Sequence, residues 1–360
     1  MFLILLDLSA AFDTVDHNIL LTRLEKRFGV TGSAIDWIKS YLHNRKHTVV
    51  INNTSSSDRL TTCNVPQGSV LGPEFFSDYG SPLADLIRSF GIQVHLYADD
   101  TKLYLAFKPG SSETTAMENI ETCIEHVRRW MTSNFLKLND DKTEFIIVGS
   151  KQQLTKVSSN SVRVGDVDIL HAESVKNIGA WFDSSFKLDK QISMTCRSAW
   201  HHIRNIEKVG KYLCFETTAT LFHAVVTTKL DQNNSLLVNS PKTLLQKLQK
   251  VQNAAAKLVS RKRKFDSVTP LLQELHWLPI EQRIQYKVAL LVYKSLNGCG
   301  PLYLAELLKH YSPAHDLRSA ASKLLFVPKI KSTYMVSRPL LMLDLKFGIV
   351  FPWKSKIQIP

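Results

Sequence analysis

The sequence predicts an α+β fold: a ferredoxin-like, split βαβ domain in residues 1–150, followed by a mostly α-helical remainder. Three observations predict it. Phe2-Leu3-Ile4-Leu5-Leu6 is an apolar run of strand length, two apolar segments flank Asp99-Asp100 like the arms of a hairpin, and from about Gln191 the apolar residues recur at helical spacing.

The first run reads as a buried strand; a signal peptide would need a basic leader and a longer apolar stretch than one cut at Asp7. Ile19, Leu20, Leu24 and Phe28 recur as on one helix face and stop at Gly29, a residue type usual just past a helix end. Ser33 can cap a second helix whose Ile35, Ile38, Tyr41 and Leu42 face one way. His47 to Ile51 reads as a short strand, and beyond a loop through Pro66 and Pro73 a third helix spans Phe75 to Phe90 and ends at Gly91. Val94 to Tyr97 and Leu103 to Phe107 form the hairpin, and a helix from about Glu113 to Asn134 leads to a buried strand from Glu144 to Val148. The order is β, α, β, β, α, β, with a long insertion between the first helices and the hairpin. Later, Leu244, Leu248, Val251, Ala255 and Val259, then Ile280 to Leu296, are helical, punctuated by Pro241, Pro270 and Pro301.

The 360 residues carry 45 Lys+Arg against 32 Asp+Glu, a formal charge of +13, and are 44% hydrophobic. That length predicts two or three domains with ample core, which excludes a disordered tail or a disulfide-stapled miniprotein. The basic balance points to an acidic partner, either nucleic acid or an anionic membrane face. Five cysteines lie far apart with no C-x-x-C pair and no Cys/His cluster, so neither a disulfide framework nor structural zinc is expected, and an intracellular location is. No segment approaches the ~20 apolar residues that span a bilayer, so a soluble chain is expected. The absence of G-x-x-x-x-G-K-[ST] and of H-E-x-x-H argues against a phosphate-cradling NTPase and a zinc protease.

Asp7 ends the first strand and Asp99-Asp100 occupy the hairpin, so if that strand neighbours the hairpin the carboxylates can meet at one end of the sheet. Consecutive residues on a straight strand point to opposite faces, and only a turn lets both approach a common point. Carboxylates gathered in this way repel one another unless a cation lies between them, and Mg²⁺ suits because it completes its octahedron with water and substrate phosphates. Two such ions about 3.5–4 Å apart can activate an attacking hydroxyl and neutralise the leaving oxygen of an in-line phosphoryl displacement. The inferred chemistry is nucleotidyl transfer. On composition alone, the alternative is that Asp7 caps a helix and Asp99-Asp100 make a solvated turn.

Three segments decide between these readings. Leu5-Leu6-Asp7-Leu8-Ser9-Ala10-Ala11-Phe12-Asp13-Thr14-Val15-Asp16-His17, then Pro66-Gln67-Gly68-Ser69-Val70-Leu71-Gly72-Pro73, then Tyr97-Ala98-Asp99-Asp100 resemble the palm motifs of non-LTR (LINE-type) retrotransposon reverse transcriptases. A lone A-D-D is weak, but three motifs in order on a strand, a loop and a hairpin are strong. The similarity continues through Leu138-Asn139-Asp140-Asp141-Lys142-Thr143-Glu144, Val175 to Asp183, Leu248 to Ala255 and Leu275-His276-Trp277-Leu278-Pro279, covering most of residues 1 to about 340.

The resemblance implies an RNA-directed DNA polymerase that extends a DNA 3′ end on an RNA template with deoxynucleotide triphosphates, using two Mg²⁺ ions, with Mn²⁺ as a substitute. It implies Asp7, Asp99 and Asp100 as metal-binding aspartates and Lys142 as proton donor to the departing pyrophosphate. Asp13 matches a position tied to local structure. Nucleotide contacts would come from Phe12, whose ring would collide with a 2′-hydroxyl, and from Gln67, Gly68 and Tyr97. Ile178 to Asp183 resemble the hairpin that holds the primer end. The implied domains are a palm at 1–150 without fingers, a primer-grip-like β region at 151–190, a helical thumb at 191–300 and a basic segment at 301–360 whose family pattern is lost after about 342. Nuclear action is expected from the family. The resemblance does not assign an oligomeric state.

Because the chain begins at the first palm strand, Met1 is expected to mark a truncated copy or a partial gene model, and with the fingers absent the resemblance leaves open whether this chain is itself an enzyme. Glu74, Gly80 within a predicted helix, and Leu230 to Ser235 also depart from the family pattern. The alternative is an inactive retrotransposon remnant that at most binds nucleic acid. The charge separates the regions: residues 241–360 hold 20 Lys+Arg and 6 Asp+Glu, a balance of +14, while residues 1–240 hold 25 and 26, a balance of −1. The nucleic-acid grip is therefore expected in the C-terminal third, including Arg261-Lys262-Arg263-Lys264.

Overall fold

A computed structural model describes residues 1–66, 68–308 and Leu325. The chain divides into two compact units, Met1–Val175 and Lys176–Pro360.

The first unit is built on an antiparallel sheet of four strands, β1 (Phe2–Ser9), β6 (Gln93–Tyr97), β7 (Asp100–Leu105) and β8 (Lys137–Ile147), lying in the order β6-β7-β1-β8. The earliest strand is therefore central, beside the hairpin. β1 alternates strictly: Phe2, Ile4, Leu6 and Leu8 are buried, while Leu3, Leu5, Asp7 and Ser9 are half-buried on the other face. The buried set joins a core completed by helices α1 (His17–Lys26), α2 (Ser33–Leu42), α3 (Gly72–Ser89) and α4 (Glu113–Ser133), which contribute Leu20, Leu24, Ile35, Phe76, Tyr79, Ile87, Ile120 and Val127. Side-chain burial on this scale dominates the stability of such a unit.

Local chemistry fixes the ends of these helices. The Asp16 carboxylate accepts from the Ile19 amide at 2.9 Å to cap α1, and the chain turns into the left-handed region at Gly29 and Gly91, as the sequence predicts. Helix α3 runs unbroken through Gly80 and Pro82. The segment His47 to Ile51, expected as one strand, instead lies in two small hairpins, β2 (Lys46–His47) with β5 (Arg59–Leu60) and β3 (Val50–Ile51) with β4 (Thr54–Ser55). The chain between 48 and 59 folds back on itself, leaving Val50 and Ile51 exposed, so apolar β-branched content there does not mark a core strand. Likewise β8 begins at Lys137 rather than near Glu144, because its first residues pair with the end of β1. A short helix α5 (Lys151–Leu154) and the hairpin of β9 (Ser161–Val164) and β10 (Val167–Leu170) complete the unit.

Arg23 ties this core together. Its guanidinium donates to the Tyr79 carbonyl and the Asn134 side-chain oxygen and lies over the Tyr79 and Trp130 rings.

A hairpin of β11 (Ser174–Asn177) and β12 (Ala180–Asp183) precedes the helices α6 (Asp189–Gly210), α7 (Phe215–Phe222), α8 (Thr228–Asp231), α9 (Lys242–Val259), α10 (Thr269–Glu274), α11 (Ile280–Leu296) and α12 (Leu302–Leu307). A π-helical turn at His223–Thr227 joins α7 to α8. Ile192, Ile203, Phe222, Leu248, Val251, Trp277 and Ile284 form the core of this second unit. Arg283 grips both oxygens of Asp231, fixing α11 against the end of α8. No helix among the described residues is long and apolar enough to cross a membrane.

Candidate active site

Asp7 lies two residues before the end of β1, on the face that carries Leu3 and Leu5. Leu6 pairs with Thr101 across the β1–β7 ladder, so Asp7 and Asp100 are the next positions along that ladder, on adjacent strands. Asp100 opens β7 opposite Tyr97, and the two-residue connection Ala98-Asp99 closes the hairpin with Ala98 at φ +49. The strand and the hairpin thus bring the predicted aspartates to one end of the sheet by register. Asp100 belongs to the strand rather than to the turn.

The sheet holds Asp7 against an irregularity in its neighbour. The β8 partner of β1 jumps from Glu144, opposite Leu5, to Asn139, opposite Asp7, so residues 140–143 bulge from the ladder. Thr143 closes the bulge by donating to the Asn139 carbonyl at 2.9 Å, and Arg128 pins Asp140 at 2.6 Å. Lys142, at its crest, reaches within 3.6 Å of Asp7 Oδ2 while its side chain stays 70% exposed. Asp7 Oδ2 itself is buried and accepts no hydrogen bond.

The other lysine of the site is buried. Lys102 follows Asp100 by two residues on β7, so both side chains share a face, and its ammonium lies 3.8 Å from Asp100 Oδ2 and 5.9 Å from the Tyr97 ring centre. Its side chain is 7% exposed and its nitrogen makes no hydrogen bond. Burial pushes the Lys102 ammonium below the usual lysine range, and Asp100 opposes that shift. Nearby, Tyr104 and His95 stack and bond at 3.0 Å, and burial followed by the charge of Lys102 holds His95 below its ordinary value.

Among the described residues no group of three or more His, Cys, Asp or Glu side chains is drawn together closely enough to hold a metal ion. Asp7 and Asp100 each stand beside a lysine instead, a geometry that relieves the repulsion between neighbouring carboxylates. In donor chemistry the residues fit a hard divalent cation: every candidate ligand is a carboxylate, and one oxygen of Asp7 is buried without a hydrogen-bond donor.

Of the other predicted residues, Phe12 follows the end of β1 by three residues and Tyr97 ends β6. The half-buried Phe12 ring packs on Phe76 at 5.0 Å, and its carbonyl accepts from the Val65 amide at 2.8 Å, tying the first motif to the second. Gly68 is exposed at φ +83 with open space around it, so it is needed there for its backbone conformation. At Gly72 a Cβ would come within 2.9 Å of Ser69 Oγ, so that glycine permits close packing of the loop on the start of α3. Gln67 lies outside the described residues. Tyr97 is 62% exposed.

In the second unit the turn Ile178-Gly179 has positive φ at both residues, and the Asp183 carboxylate accepts from the amides of Ser185, Lys187 and Leu188 and the Ser185 hydroxyl, at 2.7–3.0 Å. Arg261, Lys262, Arg263 and Lys264 are all exposed just beyond α9; Arg261 donates to the Leu213 carbonyl at 2.7 Å, and the Arg263 amide donates to Asp266 at 2.7 Å. Of the 20 Lys+Arg in residues 241–360, nine lie in residues 309–360, outside the described residues except for Leu325.

Sequence reasoning missed Lys102, the Arg128–Asp140 pair and the Asp16 cap. Lys102 carried one signal: its position two residues after Asp100 puts it on the carboxylate face of the strand.

The family model described as reverse transcriptase (RNA-dependent DNA polymerase) matches residues 1–182. Among curated proteins, the probable RNA-directed DNA polymerase from transposon BS of Drosophila melanogaster is 31% identical over 149 residues, covering 39% of this chain and 16% of that protein. The RNA-directed DNA polymerase from mobile element jockey of the same organism is 25% identical over 194 residues, covering 52% and 20%. The chain thus spans a fifth or less of the length of these relatives. Among solved structures, apo telomerase from Candida tropicalis is similar at 11% identity and a TM-score of 0.39, covering 79% of this chain and 47% of that one. Telomerase from Candida albicans, in complex with a fragment of telomeric RNA, is similar at 11% and 0.36, covering 77% and 51%. With its first half matched across the strand, the loop and the hairpin that carry the three motifs, the chain belongs to the reverse transcriptase (RNA-dependent DNA polymerase) family.

Proposed function

We propose that the first unit is the palm of an RNA-directed DNA polymerase, of ferredoxin-like split βαβ type, and that it extends a DNA 3′ end on an RNA template. The observation that carries this reading is the placement of Asp7 at the end of a central strand beside the hairpin that bears Asp99 and Asp100, with a buried Asp7 oxygen that accepts no hydrogen bond. Asp7, Asp99 and Asp100 would hold divalent ions, which when bound would supply charge neutralisation for the phosphate under in-line attack and an activated 3′-hydroxyl. Lys142, exposed and able to swing from Asp7, would give a proton to the departing pyrophosphate. Phe12 would border the sugar of the incoming nucleotide, with Gln67, Gly68 and Tyr97 around its base and template partner.

The domain boundaries follow the same reading: palm 1–150, a primer-grip-like region 151–190 supported by the β11–β12 hairpin, a thumb 191–300 supported by the long helices α6, α9 and α11, and a basic segment 301–360. The exposed run Arg261 to Lys264 supports a phosphate-contacting role for the thumb.

Primer extension on a primed RNA template tests the reading. Incorporation that needs Mg²⁺ or Mn²⁺ and disappears in Asp99→Asn is expected. Absence of synthesis at every concentration of either ion would overturn it in favour of an inactive nucleic-acid-binding remnant.

A further inference from the structure

The two lysines beside the aspartates differ in one respect that matters. Lys142 is 70% exposed at the crest of a bulge, so solvent screens its charge and its stem can carry it away from Asp7. Lys102 is 7% exposed, springs from the middle of a strand paired on both sides, to Leu5 and to His95, and makes no hydrogen bond. Its ammonium is held 3.8 Å from an Asp100 oxygen, at the distance and with the sign of charge of a cation. A buried charge without hydrogen bonds is costly, and the Asp100 carboxylate is the anion beside it.

We propose that Lys102 is a fixed counter-ion for Asp100, a positioning residue that weakens divalent-ion binding at the carboxylates and so raises the ion concentration the site requires. The inference rests on the reading of the three aspartates as a metal site. Any ion shared by Asp7 and Asp100 feels Lys102 at short range in a poorly screened setting, whereas Lys142 moves aside.

Mn²⁺ binding to the full chain, followed by the loss of the free-ion electron paramagnetic resonance signal, tests it without reference to activity. Lys102→Gln should tighten Mn²⁺ binding at least about tenfold, the least expected of removing one buried unit charge at this range. Lys102→Met should do the same and guards against an effect peculiar to the amide. Lys142→Gln should change it less than about threefold, as for an exposed charge. Unchanged affinity in both Lys102 variants, with wild-type melting curves and with wild-type binding lost in Asp7→Asn, would overturn the counter-ion role alone. Binding that persists in Asp7→Asn and Asp100→Asn would overturn the metal-site reading and this inference with it.

Discussion

The two faces of β1 share one backbone and do opposite work. Phe2, Ile4, Leu6 and Leu8 are buried against the helices, and their contribution is packing. On the other face the same strand presents Leu3, Leu5 and Asp7, and β7 adds Asp100 and Lys102. Stability is concentrated on the first face, where the neighbours are mostly apolar. The second carries buried charge whose hydrogen bonds are unmade, a local cost sustained by the packed face. Substitutions should therefore separate cleanly into those that change folding and those that change chemistry.

The largest separation is expected at Asp7. Asp7→Asn keeps the shape of the side chain and should lower nucleotide incorporation by about three orders of magnitude or more, measured as single-turnover extension. On the packed face, Phe2→Ala removes a ring stacked on Phe107 and in contact with Phe145, and should lower unfolding free energy by about 3–5 kcal/mol in denaturant titration. Arg23→Ala leaves the Tyr79 carbonyl and the Asn134 amide oxygen short of a donor, and should cost about 2–4 kcal/mol by the same measurement.

A smaller effect sits at Glu113, where the chain beyond β8 is tied to the start of α4. Burial alone would raise this carboxyl, but the side chains and amides of Ser159 and Ser158 donate to Oε1 and hold it below the usual range. A carboxyl depressed by folding adds stability that is present above its unfolded value, near 4.3, and lost as pH falls through its lower folded value. Glu113→Gln should therefore flatten the loss of stability below about pH 4.3, and an unchanged acid limb in pH-dependent melting would contradict this. The smallest effect is expected from neutralising Arg261 to Lys264 together: weaker nucleic-acid binding with a shallower salt dependence, read from binding at several ionic strengths, and no change in Mn²⁺ affinity.

Much of this contrast was legible in the sequence. The apolar run of β1 and the hairpin around Asp99-Asp100 follow from period and turn chemistry, and with them the position of the aspartates. The bulge that brings Lys142 to Asp7 did not follow, because it arises from a pairing mismatch between β1 and β8 that neither strand displays alone. The burial of Lys102 was hidden for a different reason: the apolar arm reads as starting at Leu103, which leaves Lys102 beside the turn, whereas β7 starts at Asp100 and pairs Lys102 with β6 and β1. The expected strand at His47 to Ile51 failed where β-branched residues form exposed hairpins with no core to meet.

On the proposed reading, one face of the sheet folds the unit and the other performs its chemistry. Two adjacent residues separate these roles when Leu6→Ala and Asp7→Asn are compared in one experiment that reads melting temperature and nucleotide incorporation well below it. Leu6→Ala should melt several degrees lower and still incorporate nucleotides, while Asp7→Asn should melt like the wild type and not incorporate them. Two variants that lose stability and incorporation in parallel, or an Asp7→Asn chain that still extends a primer, would contradict it.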